Sequence, residues 1–466
     1  MILILLLLVA AQGALVACSN GKGDAPEPDV NMTGTGQPGT VTPVSDLPQL
    51  AAAPSPTTSM AADDLPESSQ TPQPPTATAT WPAVGAQVPC GILLPILADD
   101  PQPVARKFDD LAAELSLPEA ARPAYERILA APETVGLAAF QVGQESEGVY
   151  LNADVPMPLA SVVKIITLIA YANAAAAGEL DPAEWVTLDE IGQTYLPRSD
   201  LGAHNRALQE LGERQLIAFD PPATPLEEVP WMMIRHSSNA AADYLHLRLG
   251  QRVIEQTVID LGLESHTAPC PWIGQFLAIA NRQTSGSNRQ AVQSYLDNPE
   301  HYGYEAMRLA ESYANDEAYR ASESEPGWRA SFDTQLLFAD NLNAQANARD
   351  YAGLMSRIVQ NQLSNGYTNI VVRRALEWPM AFLVNQELFT TIGLKDGSLP
   401  GVLTTAYYAQ RIEDGATIVV VLFYRQLPRQ TYQQWRRDLP NDEFARWLLS
   451  DPEAIQQLRA ALQQAG

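Results

Sequence analysis

A hydroxyl and an amine stand three residues apart in "PMPLASVVKIITLIAYANAAAAG", where Ser161 precedes Lys164 at the head of a long apolar run. If a helix begins at Ser161, the two side chains project from one face, about 5 to 6 Å apart at their β-carbons. An unprotonated amine there can take the hydroxyl proton and make Ser161 a nucleophile. The helix N-terminus would present unpaired amides to the anion that forms. The amine is also unusual in this chain: of 29 basic residues, only Lys22, Lys107, Lys164 and Lys395 are lysines. Arginine keeps its proton in any protein setting, whereas a partly desolvated lysine can lose it and act as a base. A lysine snorkelling along apolar surface accounts for the same position. One Ser-x-x-Lys match per chain is about what chance supplies.

Two further segments carry groups of the right kind. In "MMIRHSSNAAADYLHLRLG", Ser237, Ser238 and Asn239 sit where an apolar stretch passes into a helix. Alone this is an N-cap, the commonest use of Ser and Asn before a helix. In "IGLKDGSLPG", Lys395 falls at a strand end, Gly397 leaves space beside the backbone, and Ser398 follows. Alone this is a strand-to-turn transition.

In this order and at these separations, the three segments resemble the SxxK, SxN and KTG boxes of the penicillin-recognising serine enzymes, which include class A β-lactamases and the penicillin-binding DD-peptidases. The flanks agree, since "TPLEEVPWMMIRHSSNAAADYLHLRLG" resembles the helices around the second box, and the likeness runs from about Thr134 to Arg425. It implies that Ser161 is the acylated nucleophile and Lys164 a base for that step. It implies that Ser237 relays a proton to the leaving nitrogen and Asn239 bonds the substrate's side-chain amide. Lys395 would supply positive charge for a substrate carboxylate, and Ser398 would touch the same group. The backbone N–H groups of Ser161 and Ser398 would form the oxyanion hole, where one donor is worth about 2.7 to 4 kcal/mol.

The likeness has departures. Ser238 stands where the second box has aspartate, and Asp396 replaces the threonine of the third, placing a carboxylate beside Lys395. Class A β-lactamases carry a water-activating glutamate in the omega loop, but the corresponding stretch here, Ser265 to Leu296, contains no Asp or Glu. Ser237 and Lys395 are 158 residues apart, long for the family, which implies an insertion at about 273–345. This is either a lid or helical layer or a surface elaboration remote from the site. Slow release of the acyl group is expected unless an insertion carboxylate such as Glu300, Glu305 or Glu311 swings in.

The expected scaffold is an α/β (α+β) fold with an antiparallel sheet packed on helices. "TVGLAAFQV" (Thr134 to Val142) and "GVYLN" (Gly148 to Asn152) read as a hairpin, and "FTTIGLKDGS" and "ATIVVVLFYR" as two strands near the end. Helical spacing marks Val162 to Ala177, Asn239 to Gly250 and the segment from Asn347, and 435–466 reads as one polar amphipathic helix. The hydrolase domain is expected over 90–434.

At 466 residues with a net charge of -25, the chain is too acidic to favour nucleic acid. No HExxH or similar spacing points to a metal, no cofactor motif is present, and the Gly-x-Ser-x-Gly elbow is absent. Residues 1–17, "MILILLLLVAAQGALVA", resemble a lipoprotein signal, with lipid on Cys18, although no Lys or Arg precedes the apolar run. Residues 18–89, rich in Pro, Thr and Ser, read as a disordered tether from the outer face of a cell membrane. Cys90 and Cys270 are either a disulfide or two buried thiols. The substrate classes implied are β-lactams or peptidoglycan peptides, acted on by a monomer. A D-alanyl-D-alanine carboxypeptidase or transpeptidase and a non-catalytic wall- or partner-binding lipoprotein are the alternatives.

Overall fold

The computed structural model describes residues 115–464 apart from 281–285 and 325–329, together with residues 90, 91, 93, 94 and 103. The signal segment, Cys18 and the tether lie outside the described residues. Five strands, β1 (Val135–Gln141), β2 (Val149–Leu151), β3 (Phe389–Leu399), β4 (Val402–Arg411) and β5 (Thr417–Tyr424), form an antiparallel sheet. Their order is β3-β4-β5-β1-β2, so the two ends of the domain meet where β5 pairs with β1. One edge of the sheet is β3, which carries Lys395 and Ser398.

The run "TIVVVLFY" of β5 is apolar at nearly every position because both faces of the sheet are covered. Val419, Val421 and Phe423 pack into one core, and Ile418, Val420, Leu422 and Tyr424 into the other. The first core holds the helices α2 (Lys164–Ala176), α3 (Glu228–Arg235), α4 (Asn239–Leu249), α5 (Trp272–Ala280), α6 (Pro299–Asn315), α7 (Phe332–Asn341) and α8 (Ala348–Val359). The second is closed by the helix α1 (Arg122–Ala130) and by the tail.

Four expectations need correction or completion. The tail is not one helix over 435–466 but three, α9 (Arg429–Asp438), α10 (Pro440–Ser450) and α11 (Ala454–Gln464). Leu439 takes a left-handed conformation before Pro440, which cannot continue a helix, and Phe444, Trp447 and Leu448 are buried against the sheet. The end of the chain contributes three strands rather than two. The additional one, β4, follows β3 through Pro400 and Gly401, a pair suited to a tight turn, with Gly401 at φ 79°. The described part of the stretch at about 273–345 is mostly helical, and Tyr302, Ala306, Leu309 and Tyr313 of α6 belong to the same core as Ile165 and Leu168 of α2, so it is no remote elaboration. Cys90 and Cys270 are joined in a disulfide.

Candidate active site

Ser161 lies in a short 3-10 turn, Ala160–Val163, that feeds α2 at Lys164. In a 3-10 turn, residues three apart eclipse one another, which keeps Ser161 and Lys164 on one side. The turn is gripped from several directions. Thr404 Oγ1 of β4 donates to Leu159 O (2.7 Å), Leu159 N donates to Ala344 O (2.8 Å), and Ala160 N donates to Asn343 Oδ1 (2.9 Å). Ala160 has φ 45°, a left-handed value costing about 1–3 kcal/mol that persists only when the surroundings over-determine it. On the other side lies β3. A β-carbon at Gly397 would stand 2.7 Å from Ser161 N and 2.4 Å from Thr404 Oγ1, so only glycine lets the strand come this close.

Lys164 is buried, and its ammonium meets three acceptors: Ser237 O (2.6 Å), Asn239 Oδ1 (2.7 Å) and Ser237 Oγ (3.3 Å). Burial, reinforced by the nearby charge of Lys395, holds its pKa well below the ordinary lysine range, which suits a base. The direct contact expected between Lys164 and the Ser161 hydroxyl is not formed among the described residues, because Ser237 and Asn239 take all three donor positions of the amine.

Ser237 is the meeting point. It sits between α3 and α4 with φ 63°, and its Oγ accepts from Lys164 and from Lys395 Nζ (3.2 Å). With both lone pairs occupied, its own proton is directed elsewhere, as a relay to a leaving group requires. Ser238, the departure from the aspartate of the second box, caps α4 by accepting from Ala241 N (3.2 Å) and lies 3.1 Å from His204 Nδ1. Asn239, expected to face substrate, instead holds Lys164 through Oδ1 and Ser199 O through Nδ2 (3.4 Å). Lys395 also donates to Asp396 O (2.9 Å) and Oδ1 (3.3 Å), and burial lowers its pKa against the opposing field of Asp396. Ser398 is half-buried, and its hydroxyl is paired with Tyr432 of α9 (2.9 Å).

Several groups at the site were not anticipated. Trp272 holds its ring 5.1 Å from Lys164 Nζ. The N-terminus of its helix, α5, is fixed by Asp243, whose buried carboxylate accepts from Trp272 N (2.6 Å) and Ile273 N (2.7 Å). Burial raises Asp243 to about 7, against those amides and Lys164. A buried amide relay then runs back to the nucleophile: Gln275 Nε2 donates to Cys270 O (2.8 Å), Asn343 Nδ2 donates to Gln275 Oε1 (3.1 Å), and Asn343 holds Ala160. The two ends of the long helical excursion thus converge on the Ser161 turn. Glu300 and Glu311 are exposed on α6, and Glu305 is paired with Arg308 (2.7 Å).

A family model described as "Beta-lactamase enzyme family" matches residues 122–439. Among solved structures, the chain is similar to a β-lactamase from Sphaerobacter thermophilus DSM 20745, at 18% identity and TM-score 0.41, over 71% of this chain and 91% of that one. It is also similar to a β-lactamase from Chitinophaga pinensis DSM 2588, at 15% identity and TM-score 0.42, over 70% and 98%. A third is PBP-A, at 16% identity and TM-score 0.40, over 73% and 98%. No curated protein sequence matches. With more than half its length accounted for by that family model, the chain belongs to the beta-lactamase enzyme family and is a serine hydrolase of that superfamily.

Proposed function

We propose that this hydrolase forms an acyl-enzyme at Ser161 with β-lactam or related acyl-peptide amides and releases it slowly. Lys164 acts as base, Ser237 passes the proton to the leaving nitrogen, and Asn239 holds Lys164. The amides of Ser161 and Ser398 receive the oxyanion. The observation that carries slow release is the state of the carboxylates around Lys164. The three whose fields act on it most are Asp200, Asp243 and Asp396. Asp243 is committed to the amides of α5, Asp200 to the amides of Gly202 (3.1 Å) and His204 (2.9 Å), and Asp396 to Lys395. The side chain seated beside Lys164 from the stretch after α4 is an indole, which cannot activate water.

Intact mass before and after penicillin tests the reading. A stable adduct on the wild type, absent from Ser161→Ala, is expected, and rapid turnover with no adduct would refute slow release. A D-alanyl-D-alanine peptidase is the second reading, favoured by the same missing base, and D-alanine release from a peptide ending in D-Ala-D-Ala distinguishes it. Absence of labelling by a fluorescent penicillin would favour a non-catalytic lipoprotein. The proposal extends to a monomer anchored by lipid on Cys18 at the outer face of the cell membrane. The apolar run ending in Leu15-Val16-Ala17-Cys18 supports it, and release of a Cys18→Ser variant into the soluble fraction checks it.

A further inference from the structure

The charge at the open edge of the site is the reverse of what a carboxylate substrate needs. An ammonium group has three donors. Those of Lys395 are directed at Ser237 Oγ, Asp396 O and Asp396 Oδ1, and its side chain is 0% exposed. The Asp396 side chain beside it is 58% exposed. Gly397 of this edge strand stands against Ser161 N, which puts Asp396 one residue from the contact between the strand and the turn that carries the nucleophile. Among the described residues no tail cation forms an ion pair with Asp396: Arg429 is held 5.6 Å over the ring of Phe332, Arg436 5.8 Å over that of Tyr432, and Arg446 donates to Asn385 Oδ1. Asp442 adds a second carboxylate within the field of Asp396, countered by the nearby Arg446.

We propose that Asp396 is a specificity determinant that turns the site away from substrates with a free carboxylate beside the scissile amide and toward those with an uncharged or amine-bearing group there. The inference rests on acylation at Ser161. In that step the Ser161 Oγ–acyl carbon bond forms, the C–N bond of the lactam breaks, and the hydroxyl proton ends on the released nitrogen. A carboxylate on that nitrogen's side meets Asp396 at close range and is repelled. An ammonium group is attracted instead.

The test compares acylation rates, by intact mass, for benzylpenicillin, its methyl ester and its 2-aminoethyl amide. For the wild type, the ester and the aminoethyl amide should react at least tenfold faster than the free acid. In Asp396→Asn, the ratio of free-acid to ester rates should rise at least tenfold. Raising the ionic strength of the wild type should raise the same ratio, which keeps the inference testable if the variant fails to fold. A free acid that reacts as fast as the ester in the wild type, or a ratio that moves with neither Asp396→Asn nor salt, overturns the inference while leaving acylation at Ser161 intact. Failure of all three compounds to acylate the wild type overturns both.

Discussion

Replacing Asn343 by leucine tests whether the helical excursion sets the nucleophile or merely surrounds it. Leucine keeps the volume but strands the Ala160 amide and Gln275 Oε1, both currently bonded to Asn343. Each orphaned buried group costs about 1–3 kcal/mol, so a loss of roughly 3 kcal/mol is expected. That corresponds to a fall in melting temperature of about 5–10 °C. The functional effect should exceed what lost stability explains. Ala160 keeps its left-handed backbone because Asn343 holds it, and once released it can relax and carry Ser161 away from β3. A displacement on the order of 1 Å costs about 100-fold in rate. Labelling with a fluorescent penicillin, well below the melting transition of the variant, measures this. Asn343→Asp retains an acceptor for Ala160 and should label faster than Asn343→Leu despite being destabilised. If Asn343→Leu melts lower yet labels at the wild-type rate, the relay is structural only and the reasoning fails.

Other substitutions and conditions have defined outcomes. Acylation should rise with pH as Lys164 loses its proton, with a midpoint well below the ordinary 10.5, and should be abolished in Lys164→Arg; a pH-independent rate contradicts the base assignment. Asp243 titrates near 7 when folded and about 4 when unfolded, so the folded state binds more protons between those values. Its contribution to stability is therefore fully present below about pH 4 and lost as pH rises through 7. Melting curves of Asp243→Asn should accordingly show a flatter pH dependence over that window. Gly397→Ala places a methyl group 2.7 Å from Ser161 N and 2.8 Å from Leu159 O, and labelling should fall at least tenfold; near-normal labelling would mean that β3 moves aside freely. Reduction of the Cys90–Cys270 disulfide should cost about 2–5 kcal/mol, read as a lower melting temperature with reductant.

What could be read from the sequence was local. The Ser161, Ser237 and Lys395 segments each carry their chemistry within a few residues, and the β1–β2 hairpin and β5 declare themselves by apolar runs. Strand β4 was not anticipated, its apolar run being interrupted by Thr404 and Thr405. In the fold Thr404 is buried, its hydroxyl bonded to Leu159 O, a partner 245 positions away. Gln275 and Asn343 gave no signal, since a lone amide side chain acquires meaning only from its partner, here 68 residues distant. Trp272 lay in a stretch marked only by its lack of acids. The direct Ser161–Lys164 pair was expected from spacing, yet spacing cannot register that Ser237 and Asn239 compete for the same amine.

The Ser237 hydroxyl held between Lys164 and Lys395 has a consequence for any titration of this enzyme. Deprotonating either amine relieves its neighbour of a repulsive cation and leaves it two N–H donors for three acceptors, among them the oxygen they share. The two side chains therefore exchange protons with solvent as one ensemble of microstates. An inflection in a pH profile belongs to the pair, and substituting one lysine shifts the curve generated by the other.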